Sequence, residues 1–349
     1  MTAVGEATAQ RPPAARVEWV DYARGIGIVL VVVGHTLGGL KNAGVLASDP
    51  LHDWIYSFHM PLFFLLSGLF VTRAADGPAA EFVAGKVRTV AYPYLVWSVL
   101  QTLVQFVLAP FTNQKVAVAS LLTILYRPVM QFWFLYTLFA VFLLFLGLYK
   151  LGARAVALLA VGIAVYLYAQ VGSLGPWGVP YSVANHFLYF ALGVAVAGNV
   201  HGWVGGRGPA RSVGLALLAF ALLTAAVLGG IALTVWGKPL AAAIGMAGTA
   251  LIASVLAGAG RLSFLHTWGR KSLQIFVAHT IASAGLRIVL QKLLGIDAPV
   301  VHILGGIAIG IAAPLLLDAV CERVGFRYAF TWPKATPAVA AARAGRSPL

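Results

Sequence analysis

Val20–Gly38 reads VDYARGIGIVLVVVGHTLG, a long apolar run with an acid and a base, Asp21 and Arg24, at its entrance and one histidine, His35, well inside. Arg24 and His35 are eleven residues apart. At ~100° and ~1.5 Å per residue they share nearly the same helix face, ~16 Å apart along the axis, and Asp21 lies on that face too. Such a polar stripe is costly in a lipid-buried helix, and its residues normally face a protein interior or a water-filled cavity.

The surrounding chain has 349 residues, 60% of them hydrophobic and 10% charged, with a mean hydropathy of +0.89. Apolar stretches of ~20 residues divided by short polar segments predict an all-α, polytopic integral membrane bundle, because backbone in lipid must satisfy its own hydrogen bonds. About ten spanning helices are expected, approximately Ile26–Leu46, Trp54–Thr72, Val87–Phe111, Phe132–Tyr149, Ala153–Val171, Val183–Val200, Ser212–Trp236, Leu240–Ala259, Ser272–Leu294 and Val300–Val320. Val116–Tyr126 is apolar but short, and reads as an interfacial or re-entrant piece. The domain plan is a disordered cytoplasmic N-terminal tail (1–18), one membrane domain (19–322) and a basic cytoplasmic C-terminal tail (323–349). Val45-Leu46-Ala47 loosely resembles a cleavage site, yet the first run is read as a span because its polar lead and apolar core are long for a signal peptide.

A net charge of +14 would suggest nucleic acid in a soluble protein, but here the charges are spread over the connecting loops. With the N-terminus placed in the cytoplasm, eighteen Lys and Arg fall inside and five outside (Lys41, Lys115, Arg127, Lys238 and Lys292), with Arg287 inside a helix. That asymmetry follows the positive-inside rule and puts both termini in the cytoplasm. The single cysteine, Cys321, excludes an internal disulfide and a cysteine-rich metal site. No close carboxylate–histidine spacing suggests a metal centre, so none is expected.

Chemistry is expected where polar residues reach membrane depth. Arg24 can pair with Asp21 at i,i+3, and a neutral imidazole at His35 can act as a general base. The second helix carries YSFHMPLFFLLSG, where His59 directly precedes Met60-Pro61 and Ser67-Gly68 marks a kinked helix with a point of close approach. Beyond it come Arg73, Lys86 and Arg88, then Trp133, then GRKSLQIFVAH with Arg270, Lys271 and His279. Taken singly, His59 and His279 are explained by structural hydrogen bonds. Gly34 with Gly38, and Gly306 with Gly310, are small-residue pairs that permit close helix contact.

Together WVDYARGIGIVLVVVGH, SFHMPLFFLLSG, KVRTVAYPYLVW, FWFLYTLF and GRKSLQIFVAH resemble acyltransferase family 3, the integral-membrane O-acyltransferases, in its fucose 4-O-acetylase-like branch. The resemblance runs from about Trp19 to Leu317. It implies a ten-helix enzyme that moves an acyl group, usually acetyl, from acyl-CoA to a carbohydrate hydroxyl. It places the family's essential Arg and His on Arg24 and His35, and its basic donor loop on Lys86 and Arg88; Ala74–Ala84 lacks the denser arginines of some members. Under this expectation His35 is general base or acyl carrier, Arg24, oriented by Asp21, holds the donor, and Arg73, Lys86, Arg88, Arg270 and Lys271 can meet the phosphates of acetyl-CoA. His59, Trp133 and His279 shape the acceptor pocket. The expected partners are acyl-CoA, a carbohydrate acceptor such as a cell-surface glycan precursor, and the lipid bilayer of a bacterial-type inner membrane, with no nucleic acid; the sequence leaves room for a homo-oligomer. The alternative reading is a transporter or flippase of a sugar or lipid-linked glycan, against which the lack of a duplicated half argues.

Overall fold

The structure, a computed structural model, describes residues 17–44, 50–111 and 119–333. The expected N-terminal tail up to Arg16, the leader-like Val45-Leu46-Ala47, Lys115 and the basic positions from Lys334 onward lie outside the described residues. Every regular element among the described residues is helical. In chain order they are α1 (Glu18–Asn42), α2 (Pro50–Tyr56), α3 (His59–Gly68), α4 (Val71–Ala75), α5 (Ala79–Lys86), α6 (Tyr92–Val107), α7 (Ser120–Thr123), α8 (Trp133–Lys150), α9 (Ala155–Val171), α10 (Gly178–Val196), α11 (Val200–Gly205), α12 (Pro209–Leu228), α13 (Gly237–Ala259), α14 (Ser263–Arg270), α15 (Ser272–Ile288) and α16 (Pro299–Arg323). A π-helical turn, Val87–Ala91, joins α5 to α6 without interruption.

Among the described residues, eight helical segments are long and apolar enough to cross a membrane. The other two of the ten predicted segments differ from expectation. Ala155–Val171 is apolar but only 17 residues long, and Trp54–Thr72 is not one helix but the end of α2, then α3 and the start of α4. The first break lies where Pro61 dictates: proline has no N–H for the Ser57 carbonyl and its ring crowds that carbonyl. Phe58 accordingly leaves helical geometry, and the hydrogen-bond ladder restarts with Leu62 N donating to Phe58 O at 3.0 Å. Pro61 itself sits in the first turn of α3, where a missing N–H costs nothing.

The first predicted span, Ile26–Leu46, starts too late: α1 begins eight residues earlier at Glu18. Glu18 and Asp21 then occupy its first turn, where the helix dipole favours acids, and Trp19, Val20 and Tyr22 are buried rather than solvated. Asp21 and Arg24 are therefore inside the helix, one to two turns from its start. Likewise Val87–Phe111 is the second half of a helical run that starts at Ala79.

α1 is the hub, packing on α2, α3, α13, α14, α15 and α16, and it is the most buried of the eight long helices. Without a hydrophobic drive between helices in lipid, such packing depends on close backbone approach through small residues. Gly306 and Gly310 of α16 meet Thr36 and Val32 of α1, and Gly34 lies under the Tyr56 ring. A Cβ on Gly68 would strike the Phe190 carbonyl, and one on Gly193 the Leu65 carbonyl, so α3 and α10 touch backbone to backbone. After α16 the chain folds back onto the start of α6. Trp97 Nε1 donates to Ala329 O at 2.8 Å, Tyr92 Oη to Tyr328 O at 2.8 Å, and Phe330 stacks on Trp97.

Candidate active site

At the first-turn end of α1, Asp21 is 1% exposed. Arg24 Nη1 donates to its Oδ1 at 3.4 Å, and His266 Nε2 of α14 stands 3.7 Å from Oδ2. Two glycines bring α14 this close. A Cβ on Gly269 would collide with the Asp21 carbonyl, and one on Gly25 with the Leu265 carbonyl. The Arg24 side chain keeps a third of its surface open. Its charge bears on the Lys86 ammonium, which lies 3.7 Å from the centroid of the Phe142 ring. A half-buried guanidinium and a ring-supported ammonium so placed make an anion-attracting mouth, and the π turn that follows Lys86 is a helical irregularity of the kind often found at functional sites.

The other basic candidates are not equivalent. Arg73 and Arg270 are exposed and Arg88 is half-buried. Lys271 is held in an ion pair: its Nζ is 2.6 Å from Asp318 Oδ2 and 3.4 Å from Glu322 Oε1. The Asp318 carboxylate, which also accepts from Gln274, holds the Lys271 ammonium above the ordinary lysine range.

The far end of α1 opens into a cavity of about 460 Å³, a size that suits a small ligand. His35 is on its wall, with Tyr56, His52, Gln101, Thr280 and Arg287 around it. Ring centroids put His35 5.1 Å from His279 and 6.4 Å from Tyr56, while Tyr56 stacks on His52 at 4.0 Å and meets His59 edge-on at 4.7 Å. His279 Nδ1 lies 2.8 Å from Phe276 O and 3.1 Å from Ile275 O. Because carbonyls only accept, Nδ1 carries the proton and the lone pair is at Nε2, which is buried without a hydrogen-bond partner among the described residues. His59 is fixed in the same way by Ile55 O at 2.8 Å.

A reciprocal amide pair stiffens one wall. Gln131 Nε2 donates to Gln101 Oε1 at 2.7 Å and to Thr280 Oγ1 at 2.7 Å, and Gln101 Nε2 returns a bond to Gln131 Oε1 at 3.1 Å. This ties α6 and α15 together across the turn before α8. Arg287 Nη1 donates to Gly39 O at 3.0 Å, capping the end of α1. Between the two ends, Ile28, Val31 and Val32 retain no accessible surface, so the face linking Arg24 to His35 is filled.

Of the sequence-predicted pocket residues, His279 backs onto His35, His59 stands behind Tyr56, and Trp133 packs on His186 at 5.1 Å; none of the three is on the cavity lining. Tyr56, Gln101 and Thr280 carry no role in the sequence reading, which marks Arg287 only as a cation inside a helix. An amide inside an apolar helix is the signal that marks Gln101. Among the described residues no group of three His, Cys, Asp or Glu side chains is placed to hold a metal ion.

Comparison with known proteins gives the same direction. The profile of a family described as "Acyltransferase domain" matches residues 17–319. Nodulation protein NolL of Mesorhizobium japonicum is 32% identical over 128 residues, and NolL of Sinorhizobium fredii is 32% identical over 127. Each match spans 36% of this chain and 34% of the relative, so about a third of either relative's length is aligned. No solved structure matches.

Proposed function

We propose a function from the premise that this chain belongs to acyltransferase family 3 and is a multi-pass membrane acyltransferase: it takes an acyl group, acetyl first among the choices, from acyl-CoA and places it on a hydroxyl of a carbohydrate. The observation that carries this reading is one helix with a cationic mouth at one end and a histidine on a cavity wall at the other. In the reaction, the acceptor hydroxyl gives its proton to His35 while its oxygen attacks the thioester carbonyl. The C–S bond breaks, an O-acyl ester forms, and the proton passes to the departing CoA thiolate, giving free CoA. Donors on the same wall, the Tyr56 hydroxyl among them, are available to the oxyanion.

On this reading Arg24 and Lys86, with Arg88, Arg73 and Arg270 nearer solvent, receive the phosphates of CoA, a polyanion for which guanidinium and ammonium groups are the natural partners. Lys271, already shared by two carboxylates, contributes least. The charge asymmetry of the loops supports a cytoplasmic position for that mouth, in a bacterial-type inner membrane, and His35 then opens toward the other side. The acyl group must cross the filled stretch past Ile28 and Val31, so donor binding has to loosen that packing. The test is release of free CoA from acetyl-CoA by the purified protein in lipid nanodiscs, with mass spectrometry of the glycan acceptors. Acceptor-dependent CoA release with one added acyl group is expected; acceptor movement without CoA release would overturn the reading in favour of transport.

A further inference from the structure

The cavity at the His35 end has a charge character that a neutral sugar does not require. Its fixed charges are two cations, Lys41 and Arg287, and no carboxylate is on its lining among the described residues. Asp53, which lies 3.3 Å from the His52 ring, is not part of that lining. A polyol offers as many hydroxyl donors as acceptors, and carboxylates would serve its donors well. Here the charged groups can only donate.

Arg287 is the informative residue. It rises from α15, where it is the one charged residue of the helix; a guanidinium there is costly and marks a functional position. Gly39 O takes one N–H from it, which leaves four donors and a full charge that no carboxylate on the lining offsets. Gly39 is one helical turn beyond His35, a rise of ~6 Å, comparable to the breadth of one pyranose ring. We propose that the cavity takes an anionic glycan, with a carboxylate or phosphate received by Arg287 and, at the rim, Lys41, while a hydroxyl about one sugar ring away meets His35. This rests on the acyltransferase reading for the role of that hydroxyl, but the anion subsite itself requires only the cavity. A guanidinium fork fits both anions, so the two are chemically one class.

Titration calorimetry on the full-length protein in nanodiscs, with methyl glucuronide, glucose 1-phosphate and methyl glucoside, tests the subsite without turnover. At least one anionic sugar is expected to bind about tenfold or more tightly than the glucoside, as a charge-assisted pair provides. That advantage should shrink at high salt and fall to near unity in Arg287→Gln. Whichever anionic sugar binds tighter identifies the anion. Equal or absent binding of all three, or an advantage that survives Arg287→Gln, overturns the proposal. If Arg287→Gln does not fold, loss of part of the advantage in Lys41→Gln, at the exposed rim, decides in its place, and an unchanged advantage there overturns it. CoA release is measured separately, so a sugar that binds without being acylated counts against the transfer reading and not against the subsite.

Discussion

The Arg24 end and the His35 end of α1 are eleven residues apart on one face and are built by different means. At the Arg24 end, two glycines let α14 lie against the α1 backbone, so that Asp21 is buried between Arg24 and His266 and the charges are held in fixed relation. At the His35 end the neighbouring helices stand off, leaving a cavity whose surface is mainly apolar, with uncharged polar groups set into it and Arg287 as its half-buried cation. Buried charge is tolerated only when paired or placed for a charged ligand, whereas a neutral imidazole beside a cavity is suited to accepting a proton. The difference fits a fixed anion-binding mouth for a large donor and a roomier chamber for a varied acceptor, with packed aliphatic side chains between them.

This contrast can be broken in several places. The largest effect is expected for His35→Ala, which should lower acyl transfer by about a hundred- to ten-thousand-fold with equal protein in the membrane; near-normal acylation would remove His35 from the chemistry. Next comes Gly269→Ala, which forces a methyl against the Asp21 carbonyl. Overpacking of this kind costs about 1–3 kcal/mol, so a lower melting temperature and weaker CoA binding should appear together, and an unchanged melting profile would mean that α14 is not clamped to α1. Gln131→Leu removes the amide that bridges Gln101 and Thr280, which keep between them only the bond from Thr280 Oγ1 to Gln101 Oε1, at about 0.5–1.5 kcal/mol for each hydrogen bond lost. Its mark should be a raised KM for the acceptor with the CoA KM unmoved. Least is expected of Lys271→Gln, since Asp318 and Glu322 already hold that charge: CoA affinity should fall by less than about threefold, the scale of an exposed pair.

Signals that are local in the chain were legible at both ends of α1. The i,i+3 pairing of Asp21 with Arg24 at one end, and the Gly34 and Gly306–Gly310 close approaches and the irregularity at Pro61 toward the other, each follow from spacing or from one residue's covalent geometry. The family resemblance is likewise upheld by the match over residues 17–319. What escaped were contacts between segments distant in the chain. Nothing near Asp21 foretells His266, 245 residues later, and the pairing of Gln101 with Gln131 and Thr280 needs three elements in place at once. Lys271 looked like any loop cation until α16 brought Asp318 beside it. Nothing local in the segment after Arg323 separates it from a tail, yet Phe330 and Trp332 pack on Trp97 and Tyr92. The start of α1 at Glu18 lay outside a span bounded by the apolar run from Ile26, because hydropathy marks the membrane-facing stretch and not the first helical turn, where acids are favoured.

The division of labour along α1 is the central claim, and CoA affinity measured on two purified variants tests it most directly. In Arg24→Ala, CoA binding is expected to weaken by about tenfold or more, the worth of a charge-assisted phosphate contact, while His35→Ala binds CoA as the unaltered protein does and fails only in transfer. Unchanged CoA affinity in Arg24→Ala, or a matching loss in His35→Ala, would contradict the account.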